Sequence, residues 1–194
     1  GYSERGVSVI EYVSHDVTFP LFAHEGFHQY LFHHVNARIP AWLNEGLAVY
    51  CEGQRWGASR LDHFDPWFNP QRSNELAMAV SLNRLHALPT LLETNAGRMI
   101  EGSSRSIATY YAQIWALILF LREGENGKYA ADFQRLLGTL GDDNLEQFAR
   151  ASYIWSEREK FNFGEALFRS FISNDLDTVQ KEYFDFMRAR FVGK

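Results

Sequence analysis

His24-Glu25-Gly26-Phe27-His28 is the stretch on which the reading of this chain turns. On a helix, residues four apart share one face a turn apart, so both imidazoles can reach a single metal ion. The carboxylate between them falls about a quarter turn away, where it can hold and deprotonate a water without being a ligand. A zinc ion in a hydrolytic site takes three protein ligands and keeps one position open. The rest of the sequence must therefore supply a third donor.

The residues that follow at once, Gln29-Tyr30-Leu31-Phe32-His33-His34, do not supply it. Metzincin-type sites place a third His shortly after a helix-ending Gly, and neither is present here. His33 lies too far round the helix from His24 and His28, and His34 falls well over a turn beyond them. The better candidate is Glu45, in Ile39-Pro40-Ala41-Trp42-Leu43-Asn44-Glu45-Gly46-Leu47-Ala48. Pro40 suits a first helical turn and Gly53 a helix end, so the spacing predicts a second short helix from about Pro40 to Glu52. A reversal between the two helices would return Glu45 to the His pair, with Gly46 letting the two backbones approach closely.

These residues resemble the gluzincin (MA-type) zinc metallopeptidases. The likeness rests on His24-Glu25-x-x-His28 followed by Trp42-Leu43-Asn44-Glu45-Gly46-Leu47-Ala48-x-Tyr50-x-Glu52. It is nearest to the peptidase MA-like domains of bacterial exported proteins. The resemblance implies zinc held by His24, His28 and Glu45, Glu25 as catalytic base, and an exported location. The second motif is also similar to gluzincin aminopeptidases, whose last Glu, here Glu52, stands behind the metal. The Gly-x-Met-Glu-Asn motif that binds a free amino terminus in those enzymes is absent, so aminopeptidase activity is not supported. The His28-to-Glu45 spacing is also slightly shorter than theirs. Thr109-Tyr110-Tyr111-Ala112-Gln113-Ile114-Trp115-Ala116-Leu117 is similar to a helix of the MA-like domains, and the tail from Gly164 to Phe186 to their closing helices.

Composition agrees with a folded enzyme-sized domain. The 194 residues fit one unit, 46% hydrophobic and 15% aromatic, values typical of a globule. Residues 1–55 would carry the strand and the zinc-site helices, and residues 56–194 a helical remainder. A net charge of −5 without a basic cluster argues against nucleic acid as a partner. The longest apolar run, Ile114 to Leu121, is too short to span a bilayer. No signal peptide follows Gly1, and a start at Gly suggests a processed or excised piece of a longer chain. Oligomeric state is not legible.

One strand and many helices are expected, an α+β fold that is predominantly helical. Val7 to Val13 reads as a strand from its β-branched and aromatic content. A helix capped by Asp16 or Thr18 should run to about Val35. The Gly-, Asp- and Pro-bearing segment from Trp56 to Pro70 reads as a long loop, a common form for a binding loop or lid. Further helices are expected over about Ser73–Leu85, Ser106–Arg122, Gly127–Leu140, Asn144–Trp155, Gly164–Phe171 and Leu176–Phe191. Pro89 to Leu92 reads as a helical turn, and Gly97 to Ser104 as a loop.

The expected chemistry is zinc-dependent hydrolysis of internal peptide bonds in a peptide or protein substrate. A donor for the oxyanion is needed, and similarity to the Tyr-Ala-Gln pattern favours Tyr111 over Tyr110. The alternative is a zinc-containing peptide-binding module, silent or gated by a partner, and an intact Glu25 argues against silence. The strand at 7–13 reads as structural, although a free edge there would suit extended substrate. Glu52 reads on its own as a solvated carboxylate near a helix end. Cys51, Trp42 and Trp115 read as core, and His15, His63 and His86 as surface or loop residues.

Overall fold

The computed structural model describes residues 2–4, 7–56, 61–94, 104–152 and 161–192. Helix α1 (His15–His34) carries the His pair, and α2 (Ala41–Cys51) carries Glu45. The α1 start lies just before the expected caps, at Ser14, whose side chain makes no capping bond. Thr18 acts from inside the first turn instead, its buried hydroxyl accepting from the Val13 N–H at 3.0 Å. The chain then turns between Val35 and Pro40, which brings α2 back against α1 with Glu45 facing His24 and His28.

The centre of the molecule is α5 (Ser104–Glu123), reached through α3 (Pro70–Ser81) and the short α4 (Leu88–Glu93). From Thr109 to Leu121 every α5 side chain except Tyr111 is buried. A helix apolar on all sides must be covered on all sides. Trp42, Leu43 and Val49 of α2 cover one flank, while α3 and α9 (Leu176–Phe191) cover others. A 3-10 turn (Gly124–Gly127), α6 (Ala130–Gly138), α7 (Leu145–Ser152) and α8 (Phe163–Phe171) complete the shell. The buried polar groups are tied down as burial demands. Trp42 Nε1 donates to the Gly164 carbonyl at 3.2 Å, and Gln113 both donates to and accepts from the His86 backbone.

Strands are few and short. Strand β1 (Tyr2–Glu4) pairs antiparallel with β2 (Val7–Val9), Tyr2 opposite Val9. The expected strand over 7–13 is thus three residues long, because Ile10 to Val13 find no partner strand among the described residues and β-propensity does not by itself create one. Strands β3 (Gln54–Trp56) and β4 (Leu61–Phe64) form a second hairpin inside the segment expected to be loop. Their mixed polar sequence carries no two-residue period to announce them. Helix α3 starts at Pro70 rather than Ser73, because Asn69 Oδ1 accepts from the Arg72 N–H and caps it. The expected loop at 97–104 and helix end at 153–155 fall largely outside the described residues. The fold is a predominantly helical α+β arrangement.

Candidate metal centre

Three donor atoms from two helices converge. His24 Nε2 and His28 Nε2 are 3.2 Å apart, and Glu45 Oε2 is 3.5 Å from the first and 3.6 Å from the second. Zinc bound tetrahedrally at about 2.0–2.1 Å separates neighbouring donors by roughly 3.3 Å, so this triangle has the right edges. Among the described residues no other group of three His, Cys, Asp or Glu comes together this closely. His33, His34, His15 and His63 are exposed, and His86 is half-buried in the loop before α4, bonded to Ser106.

The far side of each imidazole fixes which nitrogen faces the cluster. His24 Nδ1 lies 2.9 Å from Glu52 Oε1, and a carboxylate can only accept, so the proton is on Nδ1. His28 Nδ1 lies 3.1 Å from Asn44 Oδ1 and donates in the same way. Both Nε2 atoms therefore point lone pairs at each other and at an anionic oxygen. Such a set repels itself unless a cation holds it together, and outer partners on Nδ1 are the usual accompaniment of metal-binding His. Without metal, a proton serves. Burial alone would depress His24, but the bonds and charges of Glu45 and Glu52 outweigh it and lift its pKa to about 9. Burial would raise Glu45, yet the two imidazoles hold it at about 2.

Glu52 is not the solvated carboxylate that its place near a helix end suggests. Besides accepting from His24, it accepts from Asn69 Nδ2 at 2.7 Å through Oε2, and only 13% of its side chain is exposed. Arg72 Nη2 stands 3.7 Å from Glu52 Oε1. Its position two turns beyond Glu45 on one face was a usable signal. Asn69 and Arg72 gave none, because they arrive from α3 across the β3–β4 hairpin.

Glu25, next to His24 on α1, is buried. Tyr111 is the half-exposed exception on α5, its ring 6.5 Å from that of His24. Burial first, then the charge and hydrogen bond of Glu45, push its phenol up to about 12, with Glu25 adding to the effect. The hydroxyl thus stays protonated, a donor at the edge of the cluster. Tyr110 is turned into the core and donates to the Thr94 carbonyl at 3.3 Å. Beyond Glu52 opens a cleft of about 860 Å³ between the first turns of α1, the β3–β4 hairpin and the start of α3. The β1–β2 hairpin is tied to α1 by a 2.7 Å bond from Gln29 Nε2 to Ser8 Oγ, one residue past His28.

Residues 19–139 match the family described as a protein of unknown function, DUF1570. The chain belongs to the DUF1570 family. No curated protein and no solved structure matches it. All the residues of this centre, from His24 through Glu52 and Arg72 to Tyr111, lie inside the DUF1570 match, whereas the β1–β2 hairpin, α8 and α9 lie outside it. No helix among the described residues is long and apolar enough to cross a membrane.

Proposed function

We propose that this DUF1570 chain is a zinc metallopeptidase of the gluzincin kind that cleaves internal peptide bonds. The observation that carries the reading is the convergence of two Nδ1-protonated imidazoles and one carboxylate on a triangle of zinc-sized edges, with a buried Glu beside it. His24, His28 and Glu45 would hold the ion. Zinc in such a site supplies Lewis acidity, lowering the pKa of a water toward about 7 and polarising a carbonyl.

The protein groups do the rest. Glu25 takes a proton from the attacking water and passes it to the leaving amine nitrogen. Tyr111 keeps its hydroxyl proton at working pH and donates toward the carbonyl oxygen as charge develops there. Asn44 and Glu52 hold the two rings in the tautomer that leaves Nε2 free. Glu11, the one acid of the segment expected as strand over 7–13, lies beyond β2 and is exposed, which favours internal segments over free amino termini.

The test is zinc analysis of the purified full-length protein together with a peptide-library digest. The expected result is near-stoichiometric zinc and cleavage that is retained when amino termini are blocked. Glu25→Gln should keep zinc and fold and lose cleavage by a factor of about 100 or more, the scale of a general base. Cleavage by Glu25→Gln at the wild-type rate removes the base assignment. Peptide binding without cleavage by the wild type leaves a zinc-containing binding module instead.

A further inference from the structure

The cleft beyond Glu52 is walled by two guanidinium groups with donors to spare. Arg55, on β3, lies over the Phe68 ring, 3.1 Å from its centroid, and makes no ion pair among the described residues. Arg72, in the first turn of α3, lies over the Tyr111 ring at 5.3 Å. Its side chain is only 15% exposed, and its nearest carboxylate oxygen, at 3.7 Å on Glu52, is beyond hydrogen-bond reach. Its Nε is shielded and has no partner among the described residues. A planar cation fixed against an aromatic ring has little freedom left to lose on binding, and its remaining N–H groups match a carboxylate in shape.

Three acids also line the cleft, each in its own setting. Glu52 accepts from His24 and Asn69. Asp62 faces His63 Nδ1 at 3.2 Å. Asp16 lies exposed in the first turn of α1, where the helix dipole favours it. Beside these acids the cleft presents the guanidinium of Arg55 and that of Arg72, the latter 3.7 Å from Glu52 and within hydrogen-bond distance of no carboxylate among the described residues. The cleft shares Glu52 with the metal centre but is lined by none of His24, His28 or Glu45, and it borders the centre through Arg72, whose guanidinium lies over the Tyr111 ring.

We infer that this cleft seats an acidic side chain of the substrate, so that the protein selects peptide segments carrying Asp or Glu on the Glu52 side of the scissile bond. The inference rests on the peptidase reading above for its substrate and on the two arginines for its selectivity.

The experiment uses zinc-loaded full-length Glu25→Gln protein and three dye-labelled peptide pools of equal length, rich in Asp and Glu, in Asn and Gln, or in Lys. Binding is followed by fluorescence polarisation, and cleavage of the same pools by the wild type. The acidic pool is expected to bind about ten- to a hundredfold tighter than its amide counterpart, the scale of a charge-assisted hydrogen bond. The gap should narrow with added salt. Arg55→Gln and Arg72→Gln should each reduce it, and Arg55→Glu should turn the preference toward the Lys pool, a gain that misfolding cannot imitate. Equal binding of all three pools overturns the inference, and does so even if the wild type cleaves them, which would leave hydrolysis standing. The inference also fails if Arg72→Gln weakens every pool alike while Arg55→Gln changes none, because Arg72 would then act through Glu52. Acid-selective binding with no cleavage supports the cleft and overturns the hydrolytic reading alone.

Discussion

Glu45 meets two imidazoles and a phenol, and Glu52 meets one imidazole, an amide and a guanidinium, so the two carboxylates have different duties. Glu45 offers its oxygen to the cluster. Protein with Glu45→Ala should be purified with little zinc, as read by elemental analysis, and unchanged zinc would mean the third ligand lies elsewhere. Glu52 meets the centre through the outer nitrogen of His24. Glu52→Gln should keep the ion but weaken it roughly 10- to 100-fold in competition with a chromophoric chelator. Cys51, which lies between them along the chain, is half-buried. Burial, and then the neighbouring Glu52 charge, push its thiol up to about 11. The sign is unfavourable to the thiolate, so at pH 8 about a hundredfold less of it is present than in a free thiol, and iodoacetamide should label Cys51 slower in that proportion. Labelling at the rate of a free thiol would show the residue to be open to solvent.

At the scale of elements, the important contact is α2 against α5. A Cβ on Gly46 would stand 2.9 Å from Ile118 Cγ1 and 3.1 Å from the Ile114 carbonyl oxygen, and the second of these cannot rotate away. Gly46→Ala should therefore cost about 1–3 kcal/mol in a denaturant titration. Zinc affinity should fall with it, because Glu45 is the adjacent residue. Gly26 sits on α1 with nothing within 4 Å of the corresponding position. Gly26→Ala should raise stability by about 1 kcal/mol, the helix-propensity difference, and a loss would show that the position is crowded. The sequence foretold a close approach at Gly46 but assigned it to α1. Helical spacing says which residues share a face, not which neighbour that face meets. For the same reason His24, His28 and Glu45 were readable from spacing and chain reversal, whereas Asn69 and Arg72, brought in by a hairpin without a periodic signal, were not.

For the molecule as a whole, the helix expected over Ser106–Arg122 proved to be the central one, and most of the other helices followed from caps and breakers near their boundaries. The strands were the weak part, since three- and four-residue strands bury too little to leave a pattern. With the proposed zinc bound, metal and fold would be linked at this scale. A ligand that binds only the folded state adds RT ln(1 + [L]/Kd), so a chelator should lower the melting temperature in a calorimetric scan. An unchanged melting temperature would mean that no metal is bound.

Where that loss falls is set by how α1 is held. Its outward side leaves Val17, Phe22, Tyr30 and Phe32 between 52% and 59% exposed, while α2 is pressed into the core with Trp42, Leu43, Ala48 and Val49 at 0%. With the proposed ion in place, the donors on α1 would clasp a loosely seated helix to a firmly seated one. Free energies of opening differ from segment to segment in this way, and amide hydrogens report them separately. In deuterated buffer, chelation should quicken exchange across α1 and the β1–β2 hairpin that leans on it, while α2 and α5 stay slow. Uniform quickening over all four would show that the ion steadies the whole body rather than one latch on it.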